Sequence, residues 1–379
     1  MKVRSRRKTV NDRMITYYLL AMVVLYFVFA STFMGGESSI ALLGYAHKYL
    51  PADVEAYLMD HLEALGWDVP TADVSGCDIW KDKSLTTKEV FKKMHGFLVD
   101  LGEYTQAVKQ FKPIPNLMKK IRADGGNTGN HPICKTASIH PSGIQSLFPS
   151  KQLSLTTSGF VEPLLTPMRH PDFCLVDTSD EILMTIDYLV HDFEAMCSKL
   201  KPTSRLVLID MGASFTYKIN GGKAMIDLIN TYKKFGFYFD HIYGFEANFQ
   251  EPGTLYKDLL PVDLIPSYHW INTGVMADKD NKMNPLYSIV EKFEEDDFVV
   301  VKLDIDTDEI EVPLANQLLA DEKLHSLVDQ FYFEHHVHMK EMKNWWGRHN
   351  HWRNAGSLKD TFELMNGLRN KGVPAHFWP

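Results

Sequence analysis

The sequence predicts an α/β fold: a doubly wound, mainly parallel sheet in the C-terminal half, preceded by a transmembrane helix and a mainly helical extension. Short apolar runs at residues 206–210, 241–246, 298–304 and 328–334 are separated by segments with apolar residues at helical spacing. Strands that are apolar on both faces are typical of parallel sheets covered by helices on both sides. Each run ends in an acid, and ligands of such sheets bind beyond the carboxyl ends of the strands.

The N-terminus is predicted to anchor the chain in a membrane. Residues 1–13 carry six basic side chains and one acid, and residues 14–34 carry no charge. About 21 helical residues span ~30 Å, the thickness of the hydrocarbon core, and basic flanks stay in the cytoplasm. We predict a single-pass type II signal anchor at 14–34 that places the remainder in the lumen of the Golgi or endoplasmic reticulum. The alternative is a cleaved signal peptide, whose apolar core is normally shorter.

Residues 35–175 are predicted to form a helical and loop-rich extension. Apolar residues at helical spacing predict helices at 53–65 and 87–101. Residues 124–150 are rich in Gly, Asn, Pro and Ser and are predicted to be loop. Residues 158–174 contain three prolines and the polar run Arg169-His170-Pro171, which predicts a loop near the site without a chemistry of its own.

Charge and cysteine content narrow the class of protein. The formal net charge of −8 argues against nucleic-acid binding, which needs a basic surface. Four cysteines, all beyond the predicted anchor, allow three disulfide pairings, and the sequence does not choose among them. Without a CxxC pattern, a zinc or redox site is not expected. These residues are Cys77, Cys134, Cys174 and Cys197, of which the last could equally be a buried free thiol.

The predicted main domain, residues 176–379, alternates helices with the four strands. Helices are predicted at 189–200 and 225–235, before and after the first strand. Ser357 to Asp360 has the pattern of a capping box that begins a helix, and Gly372 that of a helix stop. One further strand is predicted at 375–378.

A nucleoside site is predicted from the motif LIDMGAS at 208–214 together with Glu246. An acid at a strand end followed by small residues lets the backbone turn close to a bound nucleoside. A carboxylate at the end of the next strand can accept two hydrogen bonds from a ribose diol. This interpretation requires Asp210 and Glu246 to lie side by side at one sheet edge with room for the sugar between them. The alternative is an ordinary strand-to-helix turn, since many contain Asp and Gly.

With these motifs the chain resembles the FkbM-like branch of S-adenosyl-L-methionine (SAM) dependent methyltransferases, whose catalytic domain is Rossmann-like. The resemblance covers about 204–339 and rests on LIDMGAS (208–214), GFEAN (244–248), VVVKLDID (299–306) and FYFEHH (331–336). It implies methylation of a hydroxylated substrate such as a glycan. The residues that it places at the cofactor are Asp210, Gly212, Ala213, Ser214, Glu246, Asn248 and Asn272. The sequence departs from the family after the predicted strand at 298–304, where Asp306-Thr307 stands in place of Glu-Gly.

A second polar constellation combines the ends of the predicted strands at 298–304 and 328–334. Residues two apart on a strand share a face, so Asp304 lies with Asp306, and Glu334 lies with His336 and His338. We predict Asp304, Asp306, Glu334 and His336 as catalytic, with three interpretations open. A divalent metal is held by Asp304, Asp306, His336 and His338; a histidine is the general base for a substrate hydroxyl; or the cluster only closes the sheet edge.

Two further functions stay open at this point. Asp304-Ile305-Asp306 matches the metal and nucleotide-sugar motif of type II membrane glycosyltransferases, although Asp-x-Asp is short and common. The domain is otherwise a catalytically inactive Rossmann-like binding module. The aromatic and basic run at 345–353 is interpreted either as a lid that stacks on a sugar or as a packed surface loop.

Overall fold

The computed structural model describes residues 49–379 except 72, 126–129, 140–145, 149–158, 177–178, 214–220 and 347–355. Residues Tyr49–Pro379 form one compact unit. The anchor predicted at 14–34 lies outside the described residues, and among those described no helix has the length and apolar character needed to cross a bilayer.

A six-stranded parallel sheet forms the centre of this unit and confirms the predicted α/β class. A small antiparallel pair, β1 (Ser146–Phe148) and β2 (Gly159–Val161), precedes it. The strands of the large sheet are β3 (Leu206–Met211), β4 (His241–Phe245), β5 (Tyr268–Ile271), β6 (Phe298–Leu303), β7 (Val328–Phe333) and β8 (Ala375–Phe377). Their spatial order is β5-β4-β3-β6-β7-β8, and every neighbouring pair is parallel.

The winding of the sheet identifies the edge at which ligands of doubly wound folds bind. The chain runs from β3 outward to β5 and then returns to the other side of β3 at β6, so the winding direction reverses between β3 and β6. Ligands of doubly wound sheets bind at this reversal, beyond the carboxyl ends of the strands. The predicted neighbours are confirmed: β4 pairs with β3, and β7 pairs with β6. Only β8 follows β7 in this sheet among the described residues, in agreement with the single strand predicted at 375–378.

Helices cover both the sheet and the segment before it. The α-helices are α1 (Asp53–His61), α2 (Asp78–Lys81), α3 (Lys88–Gln110), α4 (Leu117–Ala123), α5 (Asp172–Leu175), α6 (Asp180–Leu183), α7 (Phe193–Ser198), α8 (Gly221–Lys234), α9 (Pro252–Thr254), α10 (Pro285–Ser288), α11 (Asp308–Ala320), α12 (Glu322–Leu327), α13 (Lys343–Trp346) and α14 (Leu358–Asn370). Short 3₁₀ turns lie at Pro132–Ala137, Val290–Lys292 and Lys340–Met342, and a π turn at Leu255–Leu259.

Several predicted helix ends are explained by capping. The Thr87 side chain accepts a hydrogen bond from the main chain of Val90 and begins α3, which continues beyond the predicted end. Ser357 and Asp360 form the predicted capping box of α14. The helix predicted at 189–200 is wrong in its first turn, because Asp192 caps α7 and His191 pairs with Val161 of β2 instead.

One disulfide joins two parts of the extension, and a second joins the extension to the main domain. Cys77 is bonded to Cys174, and Cys134 is bonded to Cys197. Cys197 is therefore not a free thiol. The second bond connects the 3₁₀ turn at Pro132–Ala137, within the segment predicted to be loop, to α7.

A fully buried arginine joins the extension to the end of the sheet. Arg369 of α14 donates to the hydroxyl of Tyr49 at 2.8 Å and to the carboxylate of Glu55 at 3.2 Å. It also donates to the main-chain oxygens of Glu162 and Ala375. A buried charge needs this number of partners to offset its desolvation, so α1 and β2 are integral parts of the fold.

Candidate functional site at the carboxyl edge of the sheet

Lys302 links the two predicted halves of the site. Its ammonium group lies 3.3 Å from Asp210 at the end of β3 and 3.0 Å from Asp304 after β6. It also donates to the main-chain oxygen of Gly212 at 3.0 Å. Burial alone would lower the pKa of Lys302, but the charges of Asp304 and Asp210 raise it above its ordinary value. The predicted cofactor residue Asp210 therefore faces a buried lysine.

The glycine of the first motif is required by the protein's own backbone. Gly212 has φ +94°, a left-handed conformation that favours glycine. A Cβ at this position would overlap with the main-chain oxygen of Asp304. The amides of Gly212 and Ala213 both donate to the main-chain oxygen of Phe245, at 2.9 and 2.8 Å. Close packing of the β3 turn on its neighbours thus accounts for the small residues, and Ser214 lies outside the described residues.

Glu246 closes β4 at the same edge of the sheet as Asp210. The side chain is buried, and its Oε1 accepts a hydrogen bond from the amide of Asn248 at 2.7 Å. Among the described residues, only Oε1 of this side chain accepts a hydrogen bond. The side-chain amide of Asn272 donates to the main-chain oxygens of Glu246 and Asn248, at 2.8 and 2.7 Å. Asn272 therefore fixes the loop that carries the carboxylate.

Tyr268 occupies part of the space between the two carboxylates. Its hydroxyl lies against Gly244, where a Cβ would overlap with it, and Gly244 pairs directly with Asp210. Burial raises the pKa of Tyr268 well above its ordinary value, and the charges of Asp210 and Glu246 add to the rise. The two acids thus share one edge, as the sequence requires, but Asp210 faces Lys302, whereas Glu246 forms no ion pair with a described residue.

Glu334 is the centre of the second constellation, at the end of β7. Its Oε1 accepts hydrogen bonds from the Arg169 guanidinium and from the Trp346 indole, the latter at 2.9 Å. The guanidinium also stacks over the Trp346 ring, 4.9 Å from its centroid. Arg169 is only 4% exposed, and its Nε and Nη1 are buried without a hydrogen-bond partner among the described residues.

His336 lies among carboxylates on both sides of its ring. Nε2 is 3.3 Å from Glu334 Oε2 and 3.6 Å from Asp306 Oδ1, and Nδ1 is 3.9 Å from Asp308 Oδ1. Two overlapping sets, Asp306 with Glu334 and His336, and Asp308 with Glu311 and His336, have ligand atoms within 4.8 Å of one another. Each set has the donor types of a divalent-cation site.

The turn that presents Asp306 is held from within the fold. Asp306 has φ +55°, and its side chain is 66% exposed. Glu311 accepts hydrogen bonds from the amides on either side of Asp306, those of Ile305 at 2.6 Å and Thr307 at 3.3 Å. Because both amides are bound, the exposed carboxylate projects from a fixed loop.

Charge states distinguish the acids of the cluster. Burial raises the pKa of Asp304 to about 7 and that of Glu311 to about 8. Burial alone would lower the pKa of His336, but Glu334 first, then Glu311 and Asp306, raise it to about 10. The same pairing with His336, against the effect of burial, holds the pKa of Glu334 below its ordinary value. In this state His336 is an imidazolium ion, which does not fit the predicted general base.

The structure separates the predicted Asp304-Ile305-Asp306 pair. Asp304 accepts from the Trp378 indole at 3.1 Å and pairs with Lys302, whereas Asp306 faces His336. Neither Asp304 nor His338 belongs to a set of potential metal ligands among the described residues. Asp304 and Asp306 therefore share no set of potential metal ligands, as an Asp-x-Asp nucleotide-sugar site would require.

The sequence predicted neither Lys302, Asp308 and Glu311 as residues of the site nor the ion pair that Arg169 forms. Lys302 is visible as a lysine inside an apolar strand, a pattern that indicates a buried ion pair. Asp308 and Glu311 are three apart at the start of α11 and so face the same side. Arg169 was predicted only to lie in a loop near the site, and its pairing with Glu334 has no local signal, since only folding brings the two residues together.

Comparisons with family models, with curated proteins and with solved structures found no match to this chain.

Proposed function

We propose that the protein is a SAM-dependent methyltransferase that methylates a hydroxyl group. The observation that carries the proposal is the position of Glu246, an acid that ends β4 beside the reversal point of the sheet. With Oε1 bound to Asn248, Oε2 is the oxygen left for a ribose hydroxyl. The sequence resemblance in the motifs at 208–214, 244–248, 299–306 and 331–336 supports the same cofactor.

The residues fit the cofactor in part. Glu246 would hold the ribose, and the loop fixed by Asn272 would lie against the nucleoside. Asp210, Gly212 and Ala213 would act indirectly, by shaping the β3 turn around Lys302 and Phe245. When bound, SAM supplies an electrophilic methyl group; the protein has to position the acceptor and remove its proton.

The acceptor would bind at the Glu334 cluster. This cluster lies at the ends of β6 and β7, on the other side of the reversal point from Glu246. Its exposed carboxylate, Asp306, is the acid that an incoming substrate can reach. A hydroxyl acceptor suits a site in which carboxylates outnumber cations, because transfer of a methyl group to oxygen releases a proton.

The two disulfides support the proposed lumenal location. Disulfides persist in oxidising compartments such as the secretory pathway, and both bonds of this chain lie beyond the predicted anchor. We propose that residues 14–34 hold the enzyme as a type II membrane protein, with a glycan or another hydroxylated secretory substrate as acceptor.

Calorimetry of the full-length chain, kept in a mild detergent, tests the proposal. SAM is expected to bind saturably, and Glu246→Ala to weaken it about 10–100-fold, since a hydrogen bond to a charged group contributes about 1.5–3 kcal/mol. Glu103→Gln, an exposed change on α3, is the matched control and should leave the affinity unchanged. Absence of SAM binding, or equal affinity for the Glu246→Ala variant, would overturn the proposal; metal-dependent binding of a nucleotide sugar instead would favour glycosyl transfer.

A further inference from the structure

We propose that Asp306, Glu334 and His336 bind a divalent transition-metal ion at the acceptor side of the site. One imidazole and two carboxylates are the donor types chosen by Mn²⁺ or Zn²⁺ rather than by Ca²⁺, which takes oxygen alone. Their ligand atoms already lie within 4.8 Å of one another. Binding of the ion would displace one ring proton of His336 to solvent and would replace the contacts that the imidazolium now makes with both carboxylates.

The ligand set is oriented by neighbours that do not themselves touch the ion. Glu334 Oε1 is held by Arg169 and Trp346, which leaves Oε2 directed toward His336. The loop of Asp306 is held through its flanking amides by Glu311. Such outer partners fix the geometry of metal ligands and are needed for tight binding.

Two independent observations indicate that a ligand belongs here. In the group around His336, four acidic side chains face two cationic ones, and a divalent ion would offset that excess of acids. The acids are Asp306, Asp308, Glu311 and Glu334, and the cations are Arg169 and His336. The second observation is Arg169, whose Nε and Nη1 are buried beside Glu334 without a hydrogen-bond partner among the residues that the structure describes. Unpaired buried donors are costly, and an oxygen atom carried into the site with the ion would satisfy them.

The exposure of Asp306 leaves the proposed ion accessible to solvent and to an acceptor. Asp306 reaches solvent, whereas Glu334 and His336 are almost fully buried, so an ion held by all three would have one open side. An oxygen of the acceptor could bind there, and the ion would favour its deprotonated form. This task rests on the proposed function, but binding of the ion does not.

Titration of the full-length chain with MnCl₂ tests the inference, with loss of the electron paramagnetic resonance signal of hydrated Mn²⁺ as the measure of binding. One ion per chain is expected, displaced by ZnCl₂. Asp306→Asn, Glu334→Gln and His336→Phe should each weaken binding at least about 10-fold, and Trp346→Phe about 10-fold through Glu334. Asp280→Asn, an exposed change elsewhere, is the matched control and should bind as the unchanged chain does.

The outcome of the Mn²⁺ titration can be distinguished from the outcome of the SAM-binding experiment. Asp306→Asn changes an exposed side chain and should keep the melting temperature, which removes misfolding as an explanation. Glu246→Ala should bind Mn²⁺ normally, so failure of SAM binding with Mn²⁺ binding intact would overturn the methyltransferase alone. Absence of saturable Mn²⁺ and Zn²⁺ binding at millimolar concentration, or unchanged affinity in Asp306→Asn and His336→Phe, would overturn the metal site.

Discussion

Substitution of Lys302 by Met tests whether one buried cation holds the carboxyl edge together. The ammonium lies 3.3 Å from Asp210 and 3.0 Å from Asp304, and the side chains of Lys302 and Asp210 are each only 2% exposed. At an effective dielectric constant of about 20, each contact corresponds to about 5 kcal/mol of Coulomb attraction. Removing one partner leaves the acids buried without compensation, which costs about 3–5 kcal/mol. We expect the free energy of unfolding to fall by that amount.

Urea denaturation of the full-length variant at several pH values measures the effect. Burial already raises the pKa of Asp210 above its ordinary value. Without Lys302 the folded protein binds protons more readily than the unfolded chain, so the loss should grow as the pH rises and shrink in acid. Adding Asp210→Asn should recover part of it, whereas Lys81→Met, at an exposed lysine, should change stability by less than about 0.5 kcal/mol. A loss below about 1 kcal/mol, or one that is the same at every pH, would refute the reasoning.

Three further predictions concern stability. Gly212→Ala should lower the free energy of unfolding by at least about 2 kcal/mol in urea, because φ is +94° and a Cβ has no room, whereas Gly102→Ala on α3 has open space and should be neutral or stabilising. Burial holds the pKa of His191 well below its ordinary value, so the stability it contributes is present above about pH 6.5 and lost as the pH falls. His191→Gln should therefore reduce the acid-side slope of stability by up to about 1.4 kcal/mol per pH unit; an unchanged slope contradicts this. Replacing the Cys134–Cys197 disulfide by two serines should cost about 2–4 kcal/mol by thermal melting, and no change would show that the bond is dispensable.

Strands β3, β6 and β7 were predictable from the sequence because they are buried on both faces. The run that begins at Leu206 is apolar up to Asp210, the run that begins at Phe298 is interrupted only by Lys302, and the structure buries every residue of β3 and β6. The helix predicted at 189–200 was wrong in its first turn, since the amide of Val190 binds the carboxylate of Glu162. Local periodicity does not report such a long-range partner.

In the candidate site, the sequence predicted the residues that follow the end of a strand, but not the partners that pair with them. Glu334 and His336 were identified because alternate residues of a strand share a face. The direction of Asp210 depends on Lys302, its register partner on the neighbouring strand β6, which lies far along the chain from the motif that predicted a cofactor contact. Arg169 reaches Glu334 from a segment more than 160 residues earlier, and no local pattern predicts that meeting.

A crystal structure of the full-length chain grown with S-adenosylhomocysteine, the product that SAM leaves after methyl transfer, tests the nucleoside site most directly. We expect the ribose hydroxyls within hydrogen-bonding distance of Glu246 Oε2, and the sulfur directed across the sheet reversal toward Asp306. Nucleoside density bound at any other surface, or an edge that stays closed by Tyr268 at saturating ligand, would contradict the account.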